Sequence, residues 1–315
     1  MGKLKALLLT QGMHGMISQV EGMAKALNAD YSHKIVRLSF PWNLIPPKFT
    51  PISDIILKDK TYLTEGETPG LIISCGRKSV IPSILLKKKN PKIFTIHIQD
   101  PKVSFKNFDA IIAPEHDDLK GENIISSKGA IHYITQLEIN KAKNYLIDKV
   151  QNEKIVSLIL GGPNKYYRFS NEELTQVFRK IKSNFISQGH KVLVIPSMRT
   201  PKRIIDLAMK EFVKEGFVVN LVNKQAYLSA LALATNIVVT CDSTSMISEA
   251  AASGKPIFIA HMGSKKNNYR FRKFFQLFRE MGITRELGER VQNWTYNKLN
   301  EAERIAAMIN NKLNN

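Results

Sequence analysis

Cysteine is almost absent from this sequence, and so is any long apolar run. Its 315 residues include two cysteines, Cys75 and Cys241, which lie far apart in the chain. A disulfide scaffold or a zinc site would need several cysteines at short spacing, so we expect neither. No stretch of about 18 uncharged apolar residues occurs, which predicts that no helix crosses a membrane. The start, MGKLKALLLT, is too quickly polar for a secretory signal and is typical of a first strand. We therefore expect a cytoplasmic protein.

Acidic residues are also scarce. The chain has 27 Asp and Glu against 46 Lys and Arg, a formal net charge of +19. Such a charge is compatible with nucleic acid, an anionic membrane surface or a phosphorylated substrate as partner. No zinc-finger, helix-turn-helix or RNA-recognition signature accompanies it, so we do not expect nucleic acid. The alternative is that many of the lysines are simply solvated.

Short β-branched runs alternate with helical patterns, which is typical of βα units around parallel sheets. In the first half, the predicted strands are Lys5–Leu9, Lys34–Leu38, Leu71–Ser74, Ile93–Ile98, Ala110–Ala113 and Ile131–Ile134, and the predicted helices are Ile17–Leu27 and Val80–Lys88. In the second half, strands are predicted in KIVSLILGG, KVLVIPS, FVVNLV, NIVVT and PIFIA, and helices at Glu172–Ser187, Pro201–Lys214 and Tyr227–Leu233. The polar helical segment 136–153 bridges the halves.

The sequence thus predicts an α/β protein with two Rossmann-like domains that face a cleft. The first domain is expected at 1–150 and the second at 151–315, with a final helix near 297–311 packing back on the first domain. Ligands of such sheets bind outside the carboxyl ends of the strands, so the residues after each strand are the candidates for function.

Two glycines and a histidine follow the first strand, in TQGMHGMISQ. Gly12 and Gly15 would let the backbone turn tightly and approach an acceptor or an anion. Their spacing is not G-x-G-x-x-G, so a dinucleotide cofactor is not supported, and no cofactor is expected. His14 is a candidate general base, and an exposed turn histidine is the equal alternative.

Charged residues follow the next strands of the first half. Arg77 and Lys78 come after a glycine at a helix start, an arrangement that suits an anion. Asp100 in QDPK and Glu115 in PEHDD follow two later strands, and an acid–base pair could be drawn from them. For any single one of these carboxylates, capping a turn or a helix is the alternative.

The second half repeats this arrangement with stronger signals. Gly161 and Gly162 end one strand, and Ser197 and Arg199 end the next. These residues are candidates for binding the phosphates of a donor molecule.

The richest cluster lies in VTCDSTSMISEAAASGKPIFI, where small polar residues end an apolar strand and a helix follows. We expect Asp242, Ser243, Thr244 and Ser245 to bind an anion through side chains and helix-start amides. Glu249, one turn further along, could accept hydrogen bonds from two sugar hydroxyls. A simple helix cap is the alternative, but a cap needs one hydroxyl rather than four polar groups. A diphosphate beside a sugar indicates a nucleotide-sugar donor.

An aromatic and basic helix is predicted near 269–281. Phe271, Phe274, Phe275 and Phe278 fall on one face at i, i+3, i+4 and i+7. The cations off that face are Arg272, Lys273 and Arg279. The ordinary interpretation is a core helix with a solvated back, and the alternative is an interfacial helix that meets anionic lipid.

These motifs together resemble the bacterial homologues of the plant mitochondrial-fission "elongated mitochondria" proteins. The matching segments are GRKS, QDP, PEHD, GAIHYIT, LILGGPN, SMRTP, VVTCDSTSMISEAAASGKPIFI and RFRKFFQLFREMGITREL, and they cover most of residues 1–290. That family is similar to GT-B glycosyltransferases. The resemblance implies a nucleotide-sugar donor in the second domain, held by Ser243–Ser245 and Glu249, and an acceptor in the first. Bacterial members also carry epimerase labels, which the missing dinucleotide motif argues against.

We therefore expect a metal-independent glycosyltransferase that moves a sugar from a nucleotide donor to a lipid-linked or glycan acceptor of the cell envelope. A general base would activate the acceptor hydroxyl, and His14, Asp100 and Glu115 are its candidates. The protein would be cytoplasmic, with peripheral association at the inner membrane as an option. The alternative is a non-catalytic nucleotide-binding or membrane-associated adaptor, because the plant relatives recruit division proteins.

Overall fold

The computed structural model describes residues 3–59, 68–150, 153–288, 291 and 294–313. The chain divides into two compact units. Unit 1 comprises Met1–Tyr133 and Asn300–Asn315, and unit 2 comprises Ile134–Leu299. Each unit contains a six-stranded sheet in which every strand pair is parallel. The predicted α/β class with two Rossmann-like sheets is confirmed.

Unit 1 has the strand order β2-β1-β3-β4-β5-β6. Its strands are β1 (Lys5–Thr10), β2 (Asp30–Ile35), β3 (Leu71–Cys75), β4 (Phe94–Ile98), β5 (Ala110–Pro114) and β6 (Ile124–Ser127). Its first helices are α1 (His14–Ala26) and α2 (Val80–Lys89). The central strands are buried on both faces, which is why they read as continuous apolar runs in the sequence.

Two predicted strands of unit 1 need correction. The strand expected at Ile131–Ile134 is irregular backbone, and the sixth strand is β6 instead. Ile131 is buried in the same core cluster as Val20 of α1, and the backbone here packs beneath α1, where a Cβ on Gly22 would lie 2.4 Å from the His132 carbonyl. The strand expected at Lys34–Leu38 is β2, which starts at Asp30. Most of its side chains are exposed, so the apolar residues from which the strand was predicted lie at its end and after it.

The last helix, α9 (Glu301–Leu313), belongs to unit 1. Its Ile305 and Ile309 are fully buried in the same cluster as Val20 of α1. The Lys128 backbone N–H donates to Glu301 at 2.8 Å, so polar contacts also tie this helix to the end of β6. The first domain of this chain is therefore completed by its final residues.

Unit 2 has the strand order β12-β11-β10-β7-β8-β9. Its strands are β7 (Lys154–Leu160), β8 (His190–Pro196), β9 (Gly216–Val218), β10 (Asn236–Thr240), β11 (Ile257–Ala260) and β12 (Thr284–Glu286). Its helices are α3 (Gln136–Ala142), α4 (Asn171–Asn184), α5 (Lys202–Glu211), α6 (Lys224–Leu233), α7 (Thr244–Ala251) and α8 (Tyr269–Glu280).

Unit 2 begins at Ile134 rather than at the predicted residue 151. The polar segment interpreted as a bridge is packed on α6. The Leu146 N–H donates to the Ser229 hydroxyl at 3.1 Å, and that hydroxyl donates to the Lys143 carbonyl at 3.0 Å. Because Ser229 is fully buried, these bonds fix the segment after α3 to unit 2.

Helix α8 is a core helix. Phe274 and Phe278 are fully buried, and the ring centroid of Phe271 lies 5.5 Å from that of Tyr166 and 5.2 Å from that of Tyr167. The aromatic face, which was the alternative lipid-binding surface in the sequence, thus packs inside unit 2. Among the described residues, no helix has the length and apolar character needed to cross a bilayer.

Candidate functional site

The strand order of unit 2 reverses between β7 and β10. From β7 the chain goes outward to β8 and β9, then returns to β10 on the other side and continues to β11 and β12. In open parallel sheets the crevice at such a reversal, outside the carboxyl ends of the strands, is where ligands bind. Gly161 and Gly162 follow β7 at this point, and Asp242 follows β10.

Asp242 joins several segments at this edge. Its carboxylate accepts hydrogen bonds from the Thr240 hydroxyl at 2.7 Å, the Gly162 N–H at 3.2 Å and an Arg199 guanidinium N–H at 2.6 Å. The Thr240 hydroxyl in turn accepts from the Gly161 N–H at 2.8 Å. The ends of β7, β8 and β10 are therefore fixed to one another by a single carboxylate and its neighbours.

The Asp242 side chain has no exposed surface, whereas that of Arg199 is 42% exposed. Burial raises the pKa of Asp242, and Arg199 together with the Thr240 and Gly162 hydrogen bonds opposes that rise. From the sequence we predicted that Asp242 would contribute to an anion site. Its carboxylate instead points inward and positions Arg199, which presents its remaining surface at the edge.

The Gly161–Gly162 pair is required by close packing. A Cβ on Gly161 would lie 2.0 Å from the Asp242 carboxylate, and a Cβ on Gly162 would lie 1.9 Å from the Arg199 carbonyl. Neither distance is compatible with a side chain. These glycines therefore let three strand ends converge.

A hydroxyl-rich turn carries Arg199. The Thr200 hydroxyl donates to the Leu160 and Gly161 carbonyls at 2.8 Å each, and it accepts from the Ser197 N–H at 2.8 Å. The Arg199 N–H donates to the Ser197 hydroxyl at 3.3 Å. Ser197 thus shapes the turn. Thr200, which sequence reasoning missed, ties the turn to β7.

Helix α7 begins at the end of β10. Ser243 is its N-cap, and the Ser243 hydroxyl accepts from the Met246 N–H at 3.4 Å. Thr244 and Ser245 occupy the first turn and are partly exposed. Within the described residues, the hydroxyls of these two side chains make no hydrogen bond, and the Ser243 cap satisfies one N–H group of the helix start, that of Met246. Two hydroxyls and the positive end of the helix dipole are thus available to an anion.

Glu249 lies one turn further along α7 and is partly buried. The Tyr227 hydroxyl of α6 donates to its carboxylate at 3.1 Å. Burial raises the pKa of Glu249 to about 7, and the Tyr227 hydrogen bond acts against this rise. Tyr227 was not recognised from the sequence, because the pattern of α6 does not reveal which residue faces α7.

Two loops at this edge are joined to each other. Asn164, after β7, donates to the Asp242 carbonyl at 3.1 Å and accepts from the N–H groups of Tyr166 and Tyr167 at 2.7 and 2.9 Å. Lys265, after β11, donates through its N–H to the Tyr166 carbonyl at 2.6 Å and through its ammonium to the Asn164 carbonyl at 2.9 Å. The site is therefore preorganised on both sides of Asp242.

A histidine that sequence reasoning missed also lies on this edge. His261 directly follows β11, and its Nε2 atom is 2.6 Å from a carboxylate oxygen of Glu286 at the end of β12. Its ring centroid is 5.3 Å from that of Phe275. Because both partners are partly exposed, a ligand at this edge can reach the pair.

Unit 1 has its own strand-order reversal, between β1 and β3. Gly12 follows β1 with φ +88°, and its N–H donates to the Thr10 hydroxyl at 3.1 Å, so it forms the tight turn that was predicted. Gly15 lies in the first turn of α1, and nothing lies within 4 Å of where its Cβ would be. His14 is the first residue of α1 and is exposed, with its ring centroid 6.4 Å from that of Tyr133.

Arg77 follows β3 but is engaged with backbone carbonyls. It donates to Asn43 at 2.6 Å, Leu44 at 3.0 Å and Ile45 at 2.9 Å. Its guanidinium thus holds a neighbouring loop, which explains this cation without an anion. Lys78 lies beside it in a short 3-10 turn and is partly buried.

Asp100 and Glu115 follow the neighbouring strands β4 and β5, so the structure brings them to the same edge of unit 1. Asp100 accepts from the Lys102 N–H at 2.9 Å and is also ion-paired with the Lys102 ammonium. Glu115 starts a 3-10 turn and is exposed. Asp100 is thus held as a turn carboxylate, whereas Glu115 is open to solvent.

The backbone after β4 and β5 is strained. Gln99, Lys102 and Asp118 have φ of 84°, 59° and 53°, in the left-handed region that side chains other than glycine rarely adopt. Such residues cluster at functional sites.

A protein-family model described as Mitochondrial fission ELM1 matches residues 14–313. The chain is similar to "Mitochondrial fission protein ELM1" of Arabidopsis thaliana, with 24% identity over 82% of this chain and 66% of that protein. The match therefore spans slightly less than two thirds of the Arabidopsis protein. The chain is also similar to "Uncharacterized protein RP120" of Rickettsia prowazekii (strain Madrid E), with 28% identity over 76% of this chain and 79% of that protein.

Solved structures of an epimerase and a glycosyltransferase share the fold. The UDP-GlcNAc 2-epimerase of Neisseria meningitidis, solved with UDP-GlcNAc, has a TM-score of 0.58 at 12% identity, over 99% of this chain and 100% of that one. Spinosyn forosaminyltransferase SpnP has a TM-score of 0.51 at 12% identity, over 99% of this chain and 91% of that one. At this identity the likeness is one of fold, and that fold is GT-B.

Proposed function

We propose that this chain, which belongs to the Mitochondrial fission ELM1 family, is a glycosyltransferase that uses a nucleotide-sugar donor. The observation that carries the proposal is the strand-order reversal of unit 2. There, two partly exposed hydroxyls begin α7, an arginine is fixed by Asp242, and a partly buried carboxylate lies one turn away. A diphosphate linked to a sugar has the matching chemistry.

The diphosphate would bind at the start of α7. The hydroxyls of Thr244 and Ser245 and the helix amides would donate to its oxygens, as helix N-termini do for phosphates. Arg199 would add charge-assisted hydrogen bonds from its exposed surface. Because Asp242 already neutralises part of that charge, the site would balance a dianion with amides and hydroxyls as well as with arginine.

The ribose would bind at Glu249. A carboxylate is an acceptor, so it can receive hydrogen bonds from two neighbouring hydroxyls. Its pKa of about 7 means that the acceptor form dominates only at neutral pH and above. Donor affinity should therefore rise as pH rises through this value.

The acceptor would be a lipid-linked or glycan component of the cell envelope, bound by unit 1 near Gly12, Gly15 and Lys78. The reaction requires a base that takes the proton of the acceptor hydroxyl. It also requires stabilisation of the leaving diphosphate, which fixed hydrogen-bond donors supply without a metal. His14, Glu115 and Asp100 are the proposed base residues. We propose that the protein is cytoplasmic and peripheral on the inner membrane.

A second candidate is a non-catalytic adaptor, favoured by the name of the Arabidopsis relative, which describes a fission protein rather than an enzyme. The two candidates differ in turnover. In an adaptor the donor site would bind nucleotide without consuming it.

The test is release of nucleoside diphosphate from a panel of nucleotide sugars incubated with the protein and an envelope-lipid extract. The transferase predicts release from one donor that depends on the extract and is lost in Glu249→Ala. Binding of a donor without release, across extracts, would favour the adaptor.

A further inference from the structure

The segment between β2 and β3 exposes large apolar side chains. Phe40, Leu44, Phe49 and Ile55 are 80%, 68%, 69% and 65% exposed. We name residues 40–55 the apolar loop. Single exposed apolar residues are common on protein surfaces, but four this exposed within sixteen residues indicate an interaction surface.

The backbone of the apolar loop is held in place. Arg77 donates to the carbonyls of residues 43, 44 and 45, and the Thr50 hydroxyl donates to the Pro46 carbonyl at 3.0 Å. The Ser39 N–H donates to the Ile56 carbonyl at 2.8 Å, closing the base of the loop. Because these polar groups are satisfied internally, the loop can bury its side chains in an apolar phase at lower cost.

The inner side of the same segment is packed. Ile56 and Leu57 are buried in the core cluster of unit 1, and Trp42 packs against that cluster. The exposed side chains are therefore not the result of an unfolded segment. The segment is thus anchored by buried side chains, while Phe40, Leu44, Phe49 and Ile55 remain exposed.

Basic residues are interspersed with the exposed side chains along the sequence. Residues 34–58 contain four basic residues and one carboxylate, Asp54. The basic residues, all of them exposed, are Lys34, Arg37, Lys48 and Lys58. The Lys48 ammonium lies 5.8 Å from the Phe49 ring centroid, so a cation and an apolar group are presented together. Aromatic and aliphatic side chains flanked by lysine and arginine suit an anionic membrane interface.

We propose that the apolar loop docks the protein on an anionic phospholipid bilayer. Its four apolar side chains enter the boundary between head groups and acyl chains, while the cations contact the head groups. A protein partner would need a surface shaped to fit these side chains. Fluid lipid adapts to them, and anionic head groups complement the basic residues of the segment. Helix α8, the candidate from the sequence, does not provide this surface because its aromatic face is packed inside unit 2.

The position of the apolar loop links it to the proposed acceptor. Arg77, which holds the carbonyls of residues 43–45, lies two residues after the end of β3. The loop thus borders the strand-order reversal of unit 1. If the proposed function holds, a lipid-linked acceptor would reach unit 1 from this bilayer. The docking itself does not depend on sugar transfer.

The test is sedimentation with phosphatidylcholine vesicles, with or without about one-third phosphatidylglycerol. We expect binding to the anionic vesicles that weakens with added salt. The triple variant Phe40→Ser/Leu44→Ser/Phe49→Ser should lower the partition coefficient at least about tenfold, since buried apolar area drives interfacial binding. Lys48→Glu/Lys58→Glu should lower it at least about 25-fold, because each of the two lost basic residues contributes roughly fivefold near the surface.

The matched control replaces equally exposed residues of unit 2, in Leu137→Ser/Val213→Ser/Leu221→Ser, whose wild-type side chains are 62%, 74% and 73% exposed. This control should partition like wild type. Equal partition of the apolar-loop variant and wild type would overturn the proposal. So would a vesicle-free dimer of the wild type that the triple variant abolishes, because a second copy would then cover the loop. Nucleoside-diphosphate binding by the triple variant, measured in parallel, separates failure of docking from failure of the donor site.

Discussion

The Arg199 guanidinium lies 2.6 Å from the Asp242 carboxylate, at the point where the strand order of unit 2 reverses. One partner has no exposed surface and the other is 42% exposed, so the pair extends from the interior to the surface. A buried carboxylate thereby fixes the orientation of a cation that a ligand can reach. This arrangement combines a structural role and a binding role in one ion pair.

The first prediction concerns this pair. Arg199→Ala removes the charge that lowers the pKa of Asp242, so that pKa should rise further. A carboxyl whose pKa is higher in the folded than in the unfolded state costs stability above its unfolded value, and the cost disappears at acid pH. We expect a loss of about 1–3 kcal/mol at pH 8 by urea unfolding and a smaller loss at pH 5.

The control is the double variant Arg199→Ala/Asp242→Asn. Since the buried charge is then absent, its stability should depend less on pH than that of Arg199→Ala. If the stability losses of Arg199→Ala and of Asp242→Asn add up to the loss of the double variant at both pH values, the two side chains are not coupled.

The second prediction concerns the glycines. Gly162→Ala would place a Cβ 1.9 Å from the Arg199 carbonyl, and a backbone atom cannot rotate away as a side chain can. We expect it to destabilise the protein by at least about 2 kcal/mol. Gly15→Ala is the control, because its Cβ would meet nothing within 4 Å and helical alanine is favoured over glycine by about 0.5–1 kcal/mol. Thermal unfolding of both variants measures the difference. A stable Gly162→Ala protein would show that the strand ends are not packed as described.

The third prediction concerns Glu249 and pH. Its pKa is raised to about 7 from an ordinary value of 4.5, so between these values the folded state keeps a proton that the unfolded state has lost. Stability should therefore fall as pH rises through this window. Glu249→Gln stays neutral, so it should match wild type at low pH and exceed it at pH 8 by roughly 1–3 kcal/mol. Urea unfolding across pH tests this, and a constant difference between the two proteins would refute the raised pKa.

The alternation of strands and helices could be predicted because buried parallel strands leave continuous β-branched runs. Strand β6 was missed because it offers two isoleucines followed by two serines. The strand predicted at Ile131–Ile134 was wrong, because those residues pack beneath Gly22 without pairing in a sheet. Hydrophobic periodicity indicates that a residue is buried, but it does not indicate which element buries it.

The start of α7 could be located from the sequence because Ser243, Thr244 and Ser245 lie within a few residues of the end of an apolar strand. The partners of Arg199 and Arg77 could not be located in this way. Asp242 is 43 residues from Arg199, and the carbonyls that Arg77 holds are more than 30 residues away. Which strand ends meet depends on the strand order of each sheet, and the order is not encoded in local pattern.

The central claim is that unit 2 binds a nucleoside diphosphate, with phosphates at α7 and ribose at Glu249. Isothermal calorimetry at pH 8, where Glu249 is ionised, with the five common nucleoside diphosphates and their nucleosides tests this most directly. We expect one diphosphate to bind and its nucleoside to bind more weakly. Arg199→Ala should weaken the diphosphate far more than the nucleoside, because the arginine would contact only phosphate.

Glu249→Ala is the decisive variant in this measurement. It should weaken the same diphosphate by about 1.5–3 kcal/mol, the range for a hydrogen bond to a charged group, while thermal unfolding remains cooperative. Wild-type affinity in Glu249→Ala, or no binding of any diphosphate to the wild-type protein, would contradict the account.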